Sequence, residues 1–81
     1  MIFELHLPEE RRMFKVNTSE DITFSEILER MIESGLIDSK EYIAVDAERQ
    51  RILPVDISLR KSGIVAGNRV IVYGKEEENI I

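Results

Sequence analysis

The chain has 81 residues, 43% hydrophobic and 33% charged, no cysteine and a formal net charge of −5. That length holds one small core and no second domain core. The charge repels nucleic-acid backbones, and the missing thiols exclude disulfide scaffolds, thiolate zinc sites and cysteine nucleophiles. The longest apolar runs, such as Val70-Ile71-Val72-Tyr73, are far shorter than a membrane span, so no membrane insertion is expected. Met1-Ile2-Phe3-Glu4 shows no basic stretch followed by an apolar run, so no signal peptide is expected and a cytoplasmic location is the default. The basic clusters Arg11-Arg12, Arg49 with Arg51, and Arg60-Lys61 are flanked by acids or spread over turns, as solvated rim charges are.

Ile2 to Leu7 alternates, with Phe3, Leu5 and Leu7 on one face and Ile2, Glu4 and His6 on the other, which predicts a strand with one buried face. Pro8 to Arg12 interrupts the pattern with a proline and charges. Met13 to Asn17 then resumes period two with Phe14 and Val16 inward, so the two runs form an antiparallel hairpin.

Thr23 followed by Glu26 has the spacing of a capping box. Phe24, Ile27, Leu28, Met31 and Ile32 recur at helical spacing and predict an amphipathic helix with Glu26, Glu29, Arg30 and Glu33 on its wet side. Gly35 supplies a left-handed stop, and Leu36 is expected to fold back against the helix as its hydrophobic contact.

Tyr42 to Val45 is a short strand with Ile43 and Val45 on one face and Tyr42 and Ala44 on the other. A charged turn over residues 46–50 leads to Ile52-Leu53, which Pro54 limits to a short or edge strand. Ser58 to Ile64 is one helical turn stopped by Gly63. Gly67-Asn68 is a tight turn, and Arg69 to Tyr73 is the last strand, with Val70 and Val72 on one face. Residues 75–81 carry no pattern and are expected to form an acidic tail behind a domain spanning residues 1–74.

Hairpin, helix, two short strands, a helical turn and a final strand predict an α+β chain. Ser58-Leu59-Arg60-Lys61-Ser62-Gly63-Ile64 followed by Val65-Ala66-Gly67-Asn68-Arg69-Val70-Ile71-Val72 resembles the C-terminal half of ubiquitin-like proteins. The helix exit at Gly35-Leu36 resembles theirs too. The resemblance spans residues 1 to 74 or so. It implies a β-grasp fold: a mixed sheet of roughly four to five strands, the first and last parallel at its centre, with one helix across one face. Leu59 and Ile64 would be wedged beneath that helix. The short, stand-alone form without a diglycine is similar to the YukD/EsaB group of small bacterial proteins encoded with type VII secretion systems. That similarity implies a cytosolic accessory or regulator. Small ubiquitin-like effector subunits of multicomponent oxygenases are the alternative.

Conjugated ubiquitin relatives and sulfur carriers need a flexible C-terminal Gly-Gly that threads an adenylating site. Here the last glycine, Gly74, follows Tyr73 and precedes Lys75-Glu76-Glu77-Glu78-Asn79-Ile80-Ile81, so conjugation is not expected. The ubiquitin family binds partners through the exposed face of its central strands. By position, Ala44, Ile71 and Tyr73 are expected on that face, with Ile2 extending it. The partner is another protein or a second copy of the chain. His6, the single histidine, is expected to be a solvated side chain. No catalytic constellation, cofactor-binding loop or metal-ligand cluster stands in the sequence, and no enzymatic activity is expected.

Overall fold

The computed structural model describes residues 1–75, so the expected tail lies, from residue 76 on, outside the described residues. Strand β1 (Ile2–Leu7) turns through a 3-10 segment, Pro8–Glu10, into β2 (Arg12–Asn17). Helix α1 (Phe24–Glu33) follows. Then come β3 (Tyr42–Asp46), β4 (Arg51–Ile52), the short helix α2 (Leu59–Ser62) and β5 (Arg69–Gly74). The five strands form one sheet in the order β2-β1-β5-β3-β4. β1 and β5 run parallel at its centre with Leu5 opposite Val70, and every other pairing is antiparallel. One helix laid across a mixed sheet with this order is the β-grasp arrangement.

The core lies between the sheet and α1. Phe3, Leu5 and Leu7 of β1 and Val70 and Val72 of β5 meet Phe24, Ile27, Leu28 and Met31 of α1, and all are buried. The Phe3 and Phe24 rings sit 6.1 Å apart at a 40° tilt. Leu59 of α2 and Ile64, just after it, are buried in the same core. Each such side chain contributes about 1.5–3 kcal/mol by leaving water, so the alternation of β1 and the helical spacing of α1 together select this sheet-on-helix packing.

The first turn of α1 is capped by Thr23, whose hydroxyl accepts from the Glu26 N–H at 3.1 Å. The reciprocal bond from the Thr23 N–H to the Glu26 carboxylate is not formed among the described residues, so half of the box is made. Gly35, at φ 78°, ends the helix as expected, and the Leu36 N–H reaches back to the Met31 carbonyl at 2.9 Å. The hydrophobic contact falls one residue later than expected. Leu36 is 40% exposed, whereas Ile37 is 5% exposed and joins the core.

The larger correction concerns β3. Its register sets Ala44 opposite Val72 and Ile43 opposite Tyr73. Directly paired residues share a face of the sheet. Ala44 therefore points into the core, 1% exposed, beside Tyr42 and Asp46, while Ile43 and Val45 point away. Hydrophobicity alone favours the opposite parity, because the observed one places an aspartate inside. Asp46 is fully buried; its Oδ1 is hydrogen-bonded, while Oδ2 has no hydrogen-bond partner and faces two arginines at ion-pair distance. Oδ1 accepts from the backbone N–H groups of Glu48 and Arg49 at 3.2 and 3.4 Å, and Oδ2 lies 3.5 Å from Arg49 and 3.7 Å from Arg51. Those contacts offset the desolvation of the charge and hold β3 in this register.

Candidate functional site

The face of the sheet away from α1 carries the outward side chains of all five strands, and the pairing registers order them into rows. Val45 lies opposite Ile52 and opposite Ile71. Ile71 in turn lies opposite His6, and His6 opposite Met13. One row therefore crosses the whole sheet as Ile52, Val45, Ile71, His6 and Met13. A second, shorter row beside it pairs Ile43 with Tyr73. Ile52 is 71% exposed, and Met13, Ile43 and Tyr73 are exposed large hydrophobics. These side chains sit on the open face for a local reason. β-branched and aromatic residues suit a pleated strand whichever face they occupy, so strand propensity and burial need not coincide.

Two of the expected site residues come together. Ile71 and Tyr73 stand two positions apart on β5, on the open face, and both line an open depression of roughly 540 Å³ with His6, Pro8, Arg11 and Arg69. The other two do not join them. Ala44 is buried on the opposite face, because its partner Val72 is core; its place in the patch is taken by Ile43 and Val45. Ile2 is exposed and on the open side, but Glu4 stands between it and His6 on β1. Glu4 pairs with Lys15 on one side and Arg69 on the other, so a charged row separates Ile2 from Ile71.

Sequence reasoning missed Ile43, Val45, Ile52 and Met13. A usable signal was present in Asp46, followed at three and five residues by Arg49 and Arg51. An acid with two nearby arginines can be an inward residue with built-in partners, and accepting that parity for Asp46 turns Ile43 and Val45 outward.

His6 departs from a freely solvated side chain. Its Nε2 is out of reach of solvent and has no hydrogen-bond partner, with Glu4 Oε1 at 3.8 Å as the nearest acid. It interrupts the apolar row between Ile71 and Met13, with its Nε2 covered by neighbouring atoms. The chemistry available on this face is therefore shape and apolar contact with a charged rim of Glu4, Lys15, Arg11 and Arg69. Among the described residues, no cluster of three or more His, Asp or Glu side chains is placed to hold a metal ion, and no helix is long and apolar enough to cross a membrane.

Gly74 is held within β5. It lies opposite Tyr42, its N–H donates to Glu9 Oε1 at 2.7 Å, and the next N–H, of Lys75, donates to the Glu41 carbonyl at 2.8 Å. The last glycine of the sequence is thus part of the sheet and not of a free strand beyond it.

No protein-family model matches the chain, and no curated protein matches it. Solved structures do. A de novo designed protein based on ubiquitin superposes with a TM-score of 0.75 at 16% identity, covering 100% of this chain and 95% of the designed one. A computationally designed protein on the template of human erythrocytic ubiquitin, solved by NMR, superposes with a TM-score of 0.76 at 14% identity, covering 99% of this chain and 98% of that one. The fold is ubiquitin-like, and at these identities the likeness speaks for the fold alone.

Proposed function

We propose that the chain is a ubiquitin-like adaptor that is not itself conjugated and that docks a partner protein on the open face of its sheet. The observation that carries this reading is the row Ile52, Val45, Ile71, His6 and Met13, continuous across five strands on the face that α1 leaves uncovered. Contiguous exposed apolar surface with a polar rim is what protein partners grip. Two facts support the absence of conjugation. No two glycines are adjacent in the sequence, and Gly74 is engaged in strand pairing and in a bond to Glu9. The finer reading, a cytoplasmic accessory of a type VII secretion system, rests on the similarity of this cysteine-free sequence without adjacent glycines to the YukD/EsaB group.

The test is affinity capture from the source cells, comparing the wild-type chain with Ile71→Glu, Tyr73→Glu and Ile2→Glu variants. Loss of the partner with the first two and retention with the third is expected, since Ile2 lies beyond the charged row. Undiminished capture by both β5 variants would overturn the proposal. Secretion-ATPase genes beside the coding sequence would favour the finer reading, and di-iron hydroxylase genes would remove it.

A further inference from the structure

Two depressions flank the end of β5, and their linings differ in charge. One, of roughly 560 Å³, lies on the α1 side at the margin of β3, with Leu28, Ile32 and Val55 among its lining residues. Glu29, Glu41 and Asp56 line it against Lys40 and Lys75, and the Lys75 ammonium already stands 3.6 Å from Glu41. Burial raises the Tyr42 phenol beside it, and the carboxylates of Glu10, Asp38 and Glu9 raise it further, so acids dominate this side. The other depression is the one on the open face that Ile71, Tyr73 and His6 share, and no carboxylate lines it. The Arg11 N–H bonds to the Pro8 carbonyl at 3.2 Å, which sets Arg11 at the Tyr73 end, while Arg69, opposite Glu4, marks the other end. Arg69 has Glu48 at 4.0 Å. Arg11 forms no ion pair among the described residues. Arg12 adds no free charge here, because it pairs with Leu7 on the α1 side and donates to the Leu36 carbonyl.

The sequence carries a matching segment directly after Lys75: Glu76-Glu77-Glu78, then Asn79, then Ile80-Ile81. Three successive acids followed by two large apolar residues complement, in that order, Arg11 at the near end and the apolar row behind it. The return from Lys75 to the level of Ile71 is about 13 Å along the strand direction, and residues 76–81 can span up to about 20 Å. The segment is long enough to reverse and bring Ile80 and Ile81 over Tyr73 and Ile71.

We propose that residues 76–81 fold back onto the open face of the sheet, the glutamates against Arg11 and the isoleucines on Tyr73 and Ile71, and that a partner must displace them. The acids around Tyr42 and in the α1-side depression repel the three glutamates and leave the open face as their seat. Tethering holds the segment at an effective concentration on the order of millimolar, so modest contacts suffice to keep it there. That the covered surface is a docking face rests on the reading above; the seat of the segment does not.

The chain has no cysteine, so Asn79→Cys gives a nitroxide one attachment point, and methyl NMR of the full chain reads which face it approaches. Expected is several-fold stronger relaxation of the Ile71 and Val45 methyl groups than of those of Leu28, Ile32 and Val55. Arg11→Glu, at an exposed turn, should cut that difference about two- to fivefold, and Glu76→Lys/Glu77→Lys/Glu78→Lys should remove it. A chain ended at Lys75 should capture several-fold more of the partner than the full chain does. Equal relaxation of the two faces, stronger relaxation on the α1 side, a difference that survives both charge changes, or equal capture by the two chains would each overturn the proposal. So would relaxation of isotope-labelled chains by spin-labelled, isotope-free ones in a mixed sample, which would mark the segment of a second copy as the occupant. Failure of both chains to capture any partner would count against the docking reading alone, because the relaxation measurement needs no partner.

Discussion

Thr23 and Ser58 face each other across an isolated antiparallel bridge, and each is the N-cap of its own helix. Thr23 Oγ1 accepts from the Glu26 N–H at 3.1 Å, and Ser58 Oγ accepts from the Lys61 N–H at 3.2 Å. The Leu59 N–H donates to the Ile22 carbonyl at 2.9 Å, so the starts of α1 and α2 are tied through backbone as well. Loss of either hydroxyl leaves a first-turn N–H without its partner, which costs about 1 kcal/mol at an N-cap. Thr23→Ala and Ser58→Ala should each lower stability by that amount in urea denaturation with an unchanged slope. Because the two caps share the bridge, the double variant should depart from the sum of the single losses. Strict additivity would show that the bridge transmits nothing between them.

Asp46 is the one buried charged side chain among the described residues. Its buried carboxylate faces two arginines that are also bonded elsewhere, Arg49 through the same Nη1 to the Gly63 carbonyl and Arg51 through Nη2 to the Ser62 carbonyl. Removing the acid strips Glu48 and Arg49 of their N–H acceptor and leaves two cations beside an apolar hole. The Asp46→Ala variant should lose roughly 2–3 kcal/mol, at the lower end for a broken buried pair because both arginines are half-exposed and can rehydrate. Asp46→Asn keeps an acceptor for Oδ1's bonds and should lose less. Equal losses in thermal or urea unfolding would assign the effect to the lost charge and not to the cavity or the missing acceptor.

The same aspartate explains how far the sequence could be followed. The strands, the main helix, the short second helix and the glycine stops follow from periodicity, because in β1, α1 and β5 the apolar pattern and the buried face coincide. In β3 they do not. Tyr42-Ala44-Asp46 and Ile43-Val45 are alternative faces, and apolarity favours burying the second pair. The register with Val72 and the arginine partners of Asp46 decide for the first. Both are contacts between segments far apart in the chain or between side chains across a turn, and neither is visible to a pattern of period two. Ile71 and Tyr73 fall on the open face as expected because β5 is flanked by strong core residues. Ala44 and Ile2 fail for opposite reasons, one by facing inward and the other by lying behind the Glu4 row.

Gly63 and Gly67 provide a comparison within one loop. Both hold positive φ, at 84° and 85°, where a side chain is strained. A Cβ at Gly67 would meet nothing within 4 Å, whereas a Cβ at Gly63 would lie 2.9 Å from the Arg51 guanidinium and 3.0 Å from that of Arg49. Gly67→Ala should therefore cost about 1 kcal/mol from the backbone alone. Gly63→Ala should cost about 2 kcal/mol, as it also displaces the arginines from Asp46 and from the end of α2. The extra loss should shrink in an Asp46→Ala background, where the arginines keep only their bonds to the Gly63 and Ser62 carbonyls. An undiminished extra loss there would show that the contact with Asp46 has no part in it.

Tyr42 gives the fold a signature at alkaline pH. Burial of its ring raises the phenol above its ordinary value of 10.0, and the carboxylates of Glu10, Asp38 and Glu9 raise it further. The folded chain therefore keeps this proton to higher pH than the unfolded chain does. Below the unfolded value both states are protonated, and the contribution of Tyr42 to stability is complete. As pH climbs past that value the unfolded state releases its proton first, so stability falls until the folded value is also passed. Urea denaturation of the wild-type chain and of Tyr42→Phe between pH 8 and pH 11 separates this group from the lysines and from Tyr73, which both proteins share. The stability difference between them should be flat below pH 9 and should shift in favour of the phenylalanine variant above about pH 10. Parallel curves across the whole range would show that Tyr42 titrates alike in the folded and unfolded chains.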